Sequence, residues 1–175
     1  MSQKEAQSEN VHTIADFSFT DQDGNTINNS TLKGKIYVAN FFFTTCPGVC
    51  PTMTNNLLKV QKTFEKDDNV KLISHSVMPS IDTRERLKDY EKNYGIRNGK
   101  WYLVNGNAST IYELARKSYF AEEEPGYNLD STQFLHTEHA LLVDQSGHLR
   151  GVYNSTLPLE INRLIDDINI LKTSN

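Results

Sequence analysis

The stretch Lys35-Ile36-Tyr37-Val38-Ala39-Asn40-Phe41-Phe42-Phe43-Thr44-Thr45-Cys46-Pro47-Gly48-Val49-Cys50-Pro51 decides the fold. Residues 35–43 are nearly continuous apolar, the pattern of a strand buried on both faces. Pro51 suits a first helical turn. Met53, Leu57, Val60 and Phe64 then recur at helical spacing and define one buried stripe. A strand therefore gives way to a helix within a few residues, and both cysteines of the chain sit at that junction. A thiol placed there is expected to be exposed, with its pKa lowered by the positive pole of the helix.

Working outward, strand-like and helix-like segments alternate, which argues an α/β fold. Asp16 to Thr20 alternates apolar and polar residues before the turn Asp21-Gln22-Asp23-Gly24, and predicts a short hairpin arm ahead of the main fold. Val70 to Val77 is the next strand. Asp82 followed by Glu85 resembles a capping box. The helix it opens shows Leu87, Tyr90 and Tyr94 on one face and stops at Gly95. Trp101 to Val104 reads as a short strand, and Thr110 to Tyr119 as a helix with Ile111, Leu114 and Ala115 inward. Residues 121–133, with three consecutive glutamates and then Pro125-Gly126, read as an exposed loop or lid. His136 to Val143 returns to strand, Asp144 to Gly147 turns, and His148 to Tyr153 runs back. Pro158 opens a last helix with Ile161, Leu164, Ile165 and Ile168 facing the sheet. This order, with a cysteine pair where the first main strand meets its helix, is the thioredoxin-like arrangement: a central mixed sheet flanked by helices, with an added N-terminal β-hairpin.

The totals narrow the function. A chain of 175 residues is expected to form one domain, 15–173, behind a flexible segment 1–14. A net charge of −4 and no aromatic–basic interleaving argue against nucleic acid. Two cysteines cannot build a disulfide framework. No apolar run is long enough to span a bilayer, and Met1 to Asn10 is polar with no signal-peptide core behind it. The expectation is a cytosolic protein, or a processed soluble fragment whose N-terminal tether has its anchor upstream.

The spacer Pro47-Gly48-Val49 is longer than the two residues of the usual redox Cys-x-x-Cys. Residues four apart share a helix face, so both sulfurs are expected on one side of the helix start. The pair is suited either to a disulfide or to a metal. Two thiolates and one imidazole make a soft three-coordinate site fitted to Cu(I). Five histidines are available. His12 and His148 read as solvated side chains and His75 as a core or edge residue. His136 and His139 remain, close to the strand-end edge where α/β folds gather ligands. Strand alternation places those two on opposite faces, so only one of them is expected at a given metal. Residue chemistry alone leaves His136 open between ligand and structural residue.

The residues 41–51 resemble the Phe-x-Phe-Thr-x-Cys-Pro-x-x-Cys-Pro signature of the Sco/SenC family. Ser76 to Thr83 is similar to that family's Ser-[Ile/Val]-Asp-Pro-x-x-Asp-Thr motif. His136-Thr137, with Asp144 and Gly147 following, is similar to its His-Thr strand and hairpin. The resemblance implies a thioredoxin-like fold and copper bound by Cys46, Cys50 and His136. It also implies a role at the dinuclear copper site of cytochrome c oxidase, by delivering copper or reducing cysteines, in proteins anchored to a membrane and facing the periplasm or the mitochondrial intermembrane space. Met78 stands where many members carry aspartate, as a packing residue or at the border of the site.

Two function classes follow. In the first the chain is a copper-binding assembly protein. In the second it is a thiol–disulfide oxidoreductase in which Cys46 attacks and Cys50 resolves. A peroxiredoxin is disfavoured because Phe43 stands where a threonine or serine is needed. Structural zinc is disfavoured because it takes four protein ligands.

Overall fold

The computed structural model describes residues 13–115 and 138–173. Seven strands, β1 (Ser18–Asp21), β2 (Thr26–Asn28), β3 (Ile36–Phe42), β4 (Val70–Ser76), β5 (Trp101–Asn105), β6 (His139–Val143) and β7 (Leu149–Asn154), form one sheet in the order β2-β1-β5-β4-β3-β6-β7. The helices are α1 (Asn29–Leu32), α2 (Val49–Thr63), α3 (Arg84–Tyr94), α4 (Ala108–Glu113) and α5 (Pro158–Thr173). Strands β3, β4 and β5 run parallel, while β6 and β7 run antiparallel to their neighbours. This is the expected α/β, thioredoxin-like arrangement.

Strand β3 explains the apolar run that fixed the reading. Every one of its residues is buried. Ile36, Val38 and Phe42 pack on one face with Leu57, Val60 and Phe64 of the α2 stripe, and with Ile161, Leu164 and Ile168 of α5. Tyr37, Ala39 and Phe41 pack on the other face with Phe17, Phe19, Ile27 and Ile111. Period-two alternation along the strand fills two cores at once. Burial of each Leu, Ile or Phe in these cores stabilises the fold by roughly 1.5–3 kcal/mol before entropy is counted.

Three details depart from the sequence reading. The N-terminal hairpin is no detached arm: β1 pairs with β5, Thr20 opposite Asn105 and Asp21 opposite Val104, so it extends the main sheet. The short helix α1 was not foreseen. It is opened by Asn28, whose side chain accepts from the Thr31 amide while the Thr31 hydroxyl accepts from the Asn28 amide. The cap of α3 is Thr83, whose hydroxyl accepts from the Arg86 amide. Asp82 instead turns inward and is completely buried. Gly95 ends α3 as expected, at φ 72° in the left-handed region.

The hairpin joining β6 and β7 also follows the reading. The Asp144 carboxylate accepts from the Ser146 and His148 amides, and Gly147 takes φ 80°. Helix α4 begins at Ala108, capped by Asn107, with Leu114 and Ala115 buried just beyond it. Its expected end at Tyr119, the expected loop or lid over 121–133, and the opening of the next strand at His136 lie outside the described residues. Within them, β6 begins at His139.

Candidate metal and thiol site

The site forms where β3 ends and α2 begins. Helix α2 starts at Val49, later than the spacing implied, so Cys50 lies in its first turn and Cys46 precedes it. The two sulfurs therefore meet because the intervening loop folds back, with no shared helix face involved. The Cys46 amide donates to the Phe43 carbonyl at 3.2 Å and tightens the bend. Gly48 occupies the cap position of α2 without a side-chain cap, and Pro51 in the first turn has no amide to satisfy.

The Cys46 sulfur sits beside this open helix start. Burial pushes its pKa up, but a hydrogen bond from the Cys50 thiol and further bonds from the backbone amides of Cys50, Gly48 and Val49 outweigh that, and the net shift is downward. Those amides are the unpaired donors of the helix start, where negative charge is favoured. Cys50 shifts the opposite way. Burial, the bond it gives to Cys46 and the nearby charges of Cys46 and Asp82 push its thiol up to about 12. Both cysteines are free thiols. The expected exposure is not found: they are 8% and 5% exposed and belong to the larger core cluster, with Phe43 and Val49 packed against it.

The wall behind the thiols was missed by the sequence reading. The Asp82 carboxylate accepts from the Thr44 amide at 3.1 and 3.2 Å, from the Thr44 hydroxyl, and from the Ser76 hydroxyl at 2.7 Å. The Asn105 side-chain amide donates to the Asp82 backbone carbonyl at 2.8 Å. The available signal was the Ser76-to-Thr83 motif, in which Asp82 looked like a cap. On the α2 side, Thr54 and Tyr90 share a hydrogen bond of 2.7 Å, and Tyr90 stacks at an angle on Tyr94. Met78 is half-buried against the Phe41 side of the core, and its amide donates to the Ser76 hydroxyl at 3.2 Å.

The histidines separate clearly. His75 is completely buried among the rings of Phe17, Phe19 and Phe41. His148 is partly exposed beside Asp144, 3.9 Å from its carboxylate. His139 is half-buried on β6 opposite Asn154. His12 and His136 lie outside the described residues. Among the described residues, no group of three or more His, Cys, Asp or Glu is arranged to hold a metal. The cysteine pair does fit a soft cation in donor chemistry. Two adjacent sulfurs, one predisposed to ionise, sit at the strand-end edge where β6 also enters the sheet.

Comparison with known proteins places this geometry. The family model described as SCO1/SenC matches residues 5–171. The crystal structure of a SCO1/SenC family lipoprotein from Bacillus anthracis is similar, with a TM-score of 0.80 and 30% identity over 92% of this chain and 95% of that one. BsSco, described through a disulfide switch and as a member of the Sco family of cytochrome c oxidase assembly proteins, gives a TM-score of 0.80 and 29% identity over 95% and 96%. Bradyrhizobium japonicum ScoI with copper bound gives a TM-score of 0.70 and 28% identity over 91% and 99%. The chain belongs to the SCO1/SenC family.

Proposed function

We propose that the chain is a copper-binding assembly protein for the dinuclear copper site of cytochrome c oxidase, with copper as its cargo. Cys46 and Cys50 supply the soft sulfur donors, and His136 the third. The observation that carries the reading is the apposition of two free, buried thiols at a helix start that favours an anionic sulfur. His136 is three residues ahead of His139, where β6 enters at the cysteine edge. The copper-bound relative and the oxidase-assembly relative support the same assignment. Release to a partner proceeds by ligand exchange between soft sulfurs. The working unit is a single domain of residues 15–173, and its place is at a membrane facing the periplasm; that the related Bacillus anthracis protein is a lipoprotein supports membrane attachment. No helix among the described residues is long and apolar enough to cross a membrane.

X-ray absorption of the Cu(I)-loaded reduced protein tests the ligand set. Two sulfur scatterers and one imidazole are expected, and the imidazole signal disappears in His136→Ala. Absence of sulfur scattering contradicts the reading.

A second reading, thiol–disulfide oxidoreductase, is favoured by the opposed pKa shifts. A low-pKa Cys46 suits the attacking thiol, and a protonated Cys50 suits the resolving one. Turnover on a protein disulfide that is unchanged in His136→Ala distinguishes it.

A further inference from the structure

We propose that Asp82 is a positioning residue for the cysteine pair: its buried carboxylate clasps Thr44 and thereby holds the loop carrying Cys46 against the helix start carrying Cys50. Asp82 is 0% exposed. The donors to its carboxylate are all neutral: the Thr44 amide, the Thr44 hydroxyl and the Ser76 hydroxyl. Burying a carboxylate is costly without a cation to pair it. Only a carboxylate offers an acceptor oxygen on both sides to these donors; an amide would turn an NH2 donor toward one of them.

The clasp is aimed at the site. Thr44 lies two residues past the end of β3 and two before Cys46. Ser76 is the last residue of β4, and Asn105, the last of β5, fastens the Asp82 backbone. The ends of three parallel strands thus converge on one residue: Thr44 just past β3 and Ser76 of β4 bond its carboxylate, and Asn105 of β5 bonds its backbone carbonyl. Within the loop the Cys46 amide donates to the Phe43 carbonyl, and α2 has no side-chain cap; the Asp82 carboxylate adds a hold on Thr44 from 38 residues away. The inference rests on the cysteines being the working groups and does not depend on copper.

Holding Cys46 next to Cys50 raises the effective concentration of one thiol at the other, so the clasp favours ring closure. The measurable reaction is balanced. The two thiols and one glutathione disulfide give the Cys46–Cys50 disulfide and two glutathione thiols, with the two electrons and two protons passing to glutathione.

The test equilibrates the whole chain with glutathione buffers and reads the disulfide fraction by thiol trapping, for wild type, Asp82→Asn, Thr44→Val, Thr44→Ser and Ser76→Ala. Asp82→Asn and Thr44→Val are expected to lower the equilibrium constant for disulfide formation by about fivefold or more, and Ser76→Ala by less. Thr44→Ser, which keeps the hydroxyl, is expected to return to the wild-type constant. If Asp82→Asn does not fold, the Thr44 pair decides, since both variants keep the carboxylate. A folded Thr44→Val with the wild-type constant overturns the proposal, as does an equal shift in Thr44→Ser. Cu(I) loading of the same proteins keeps the two ideas apart. Failure of wild type to bind Cu(I) removes the copper reading and leaves the glutathione result to judge Asp82.

Discussion

Cys46 and Cys50 stand side by side at the start of α2, and their thiols are driven in opposite directions, Cys46 toward ionisation and Cys50 toward the protonated form. The reduced site is therefore asymmetric, with Cys46 the easier sulfur to ionise and Cys50 held protonated. Alkylation with iodoacetamide is expected to modify Cys46 first, with a half-maximal rate at a pH below the ordinary thiol value of 9.0. Cys50 is expected to stay protonated until about pH 12. In Cys50→Ala the donor is gone, so the Cys46 profile moves to higher pH. Adduct mapping by mass spectrometry checks both. Preferential modification of Cys50 at neutral pH contradicts the assignment.

Stability also has a defined pH dependence at His75. Burial holds this imidazole down to about pKa 3, against 6.5 for the exposed group. Between those values the unfolded chain binds a proton that the folded chain refuses, so stability rises with pH in that window. Acidification below 6.5 is expected to destabilise the fold, by about 2 kcal/mol at pH 5, and this loss levels off near pH 3. In His75→Gln the slope between pH 6.5 and 4 is expected to be shallower than in wild type by about one proton. Parallel denaturation curves across that range contradict it.

The start of helix α3 gives a third check. Thr83→Ala removes the side-chain cap on the Arg86 amide and is expected to cost about 1 kcal/mol in urea denaturation, leaving the reactivity of the cysteines unchanged. Asp82→Ala leaves the Thr44 and Ser76 donors without their acceptor in a buried site and is expected to cost more than Thr83→Ala. If Asp82 were the cap, the order of the two would reverse.

Much of this fold is legible in the sequence because period and length carry it. The run from Ile36 to Phe42 can only be a strand covered on both faces, and the spacing of Met53, Leu57 and Val60 is that of one helix face. The β1–β5 pairing was not legible, because strand order in a sheet is set by packing between segments about 80 residues apart, such as Thr20 and Asn105. At the site, the identity of the two cysteines was readable and their burial was not. Exposure depends on how the core that includes both cysteines packs, with Phe43 and Val49 against it, which is a tertiary outcome. Asp82 shows the same limit. A carboxylate three residues before a glutamate has the local signature of a cap, and only the approach of Thr44 from β3 reveals a different acceptor role.

The most direct measurement is anaerobic Cu(I) titration of the reduced protein against a chromophoric competitor, wild type beside His136→Ala, Cys46→Ala and Cys50→Ala. Wild type is expected to bind one copper per chain, both cysteine variants to lose it, and His136→Ala to bind at least about tenfold more weakly. A wild type without Cu(I) affinity, or a His136→Ala variant that binds as tightly as wild type, would contradict the dithiol–imidazole site.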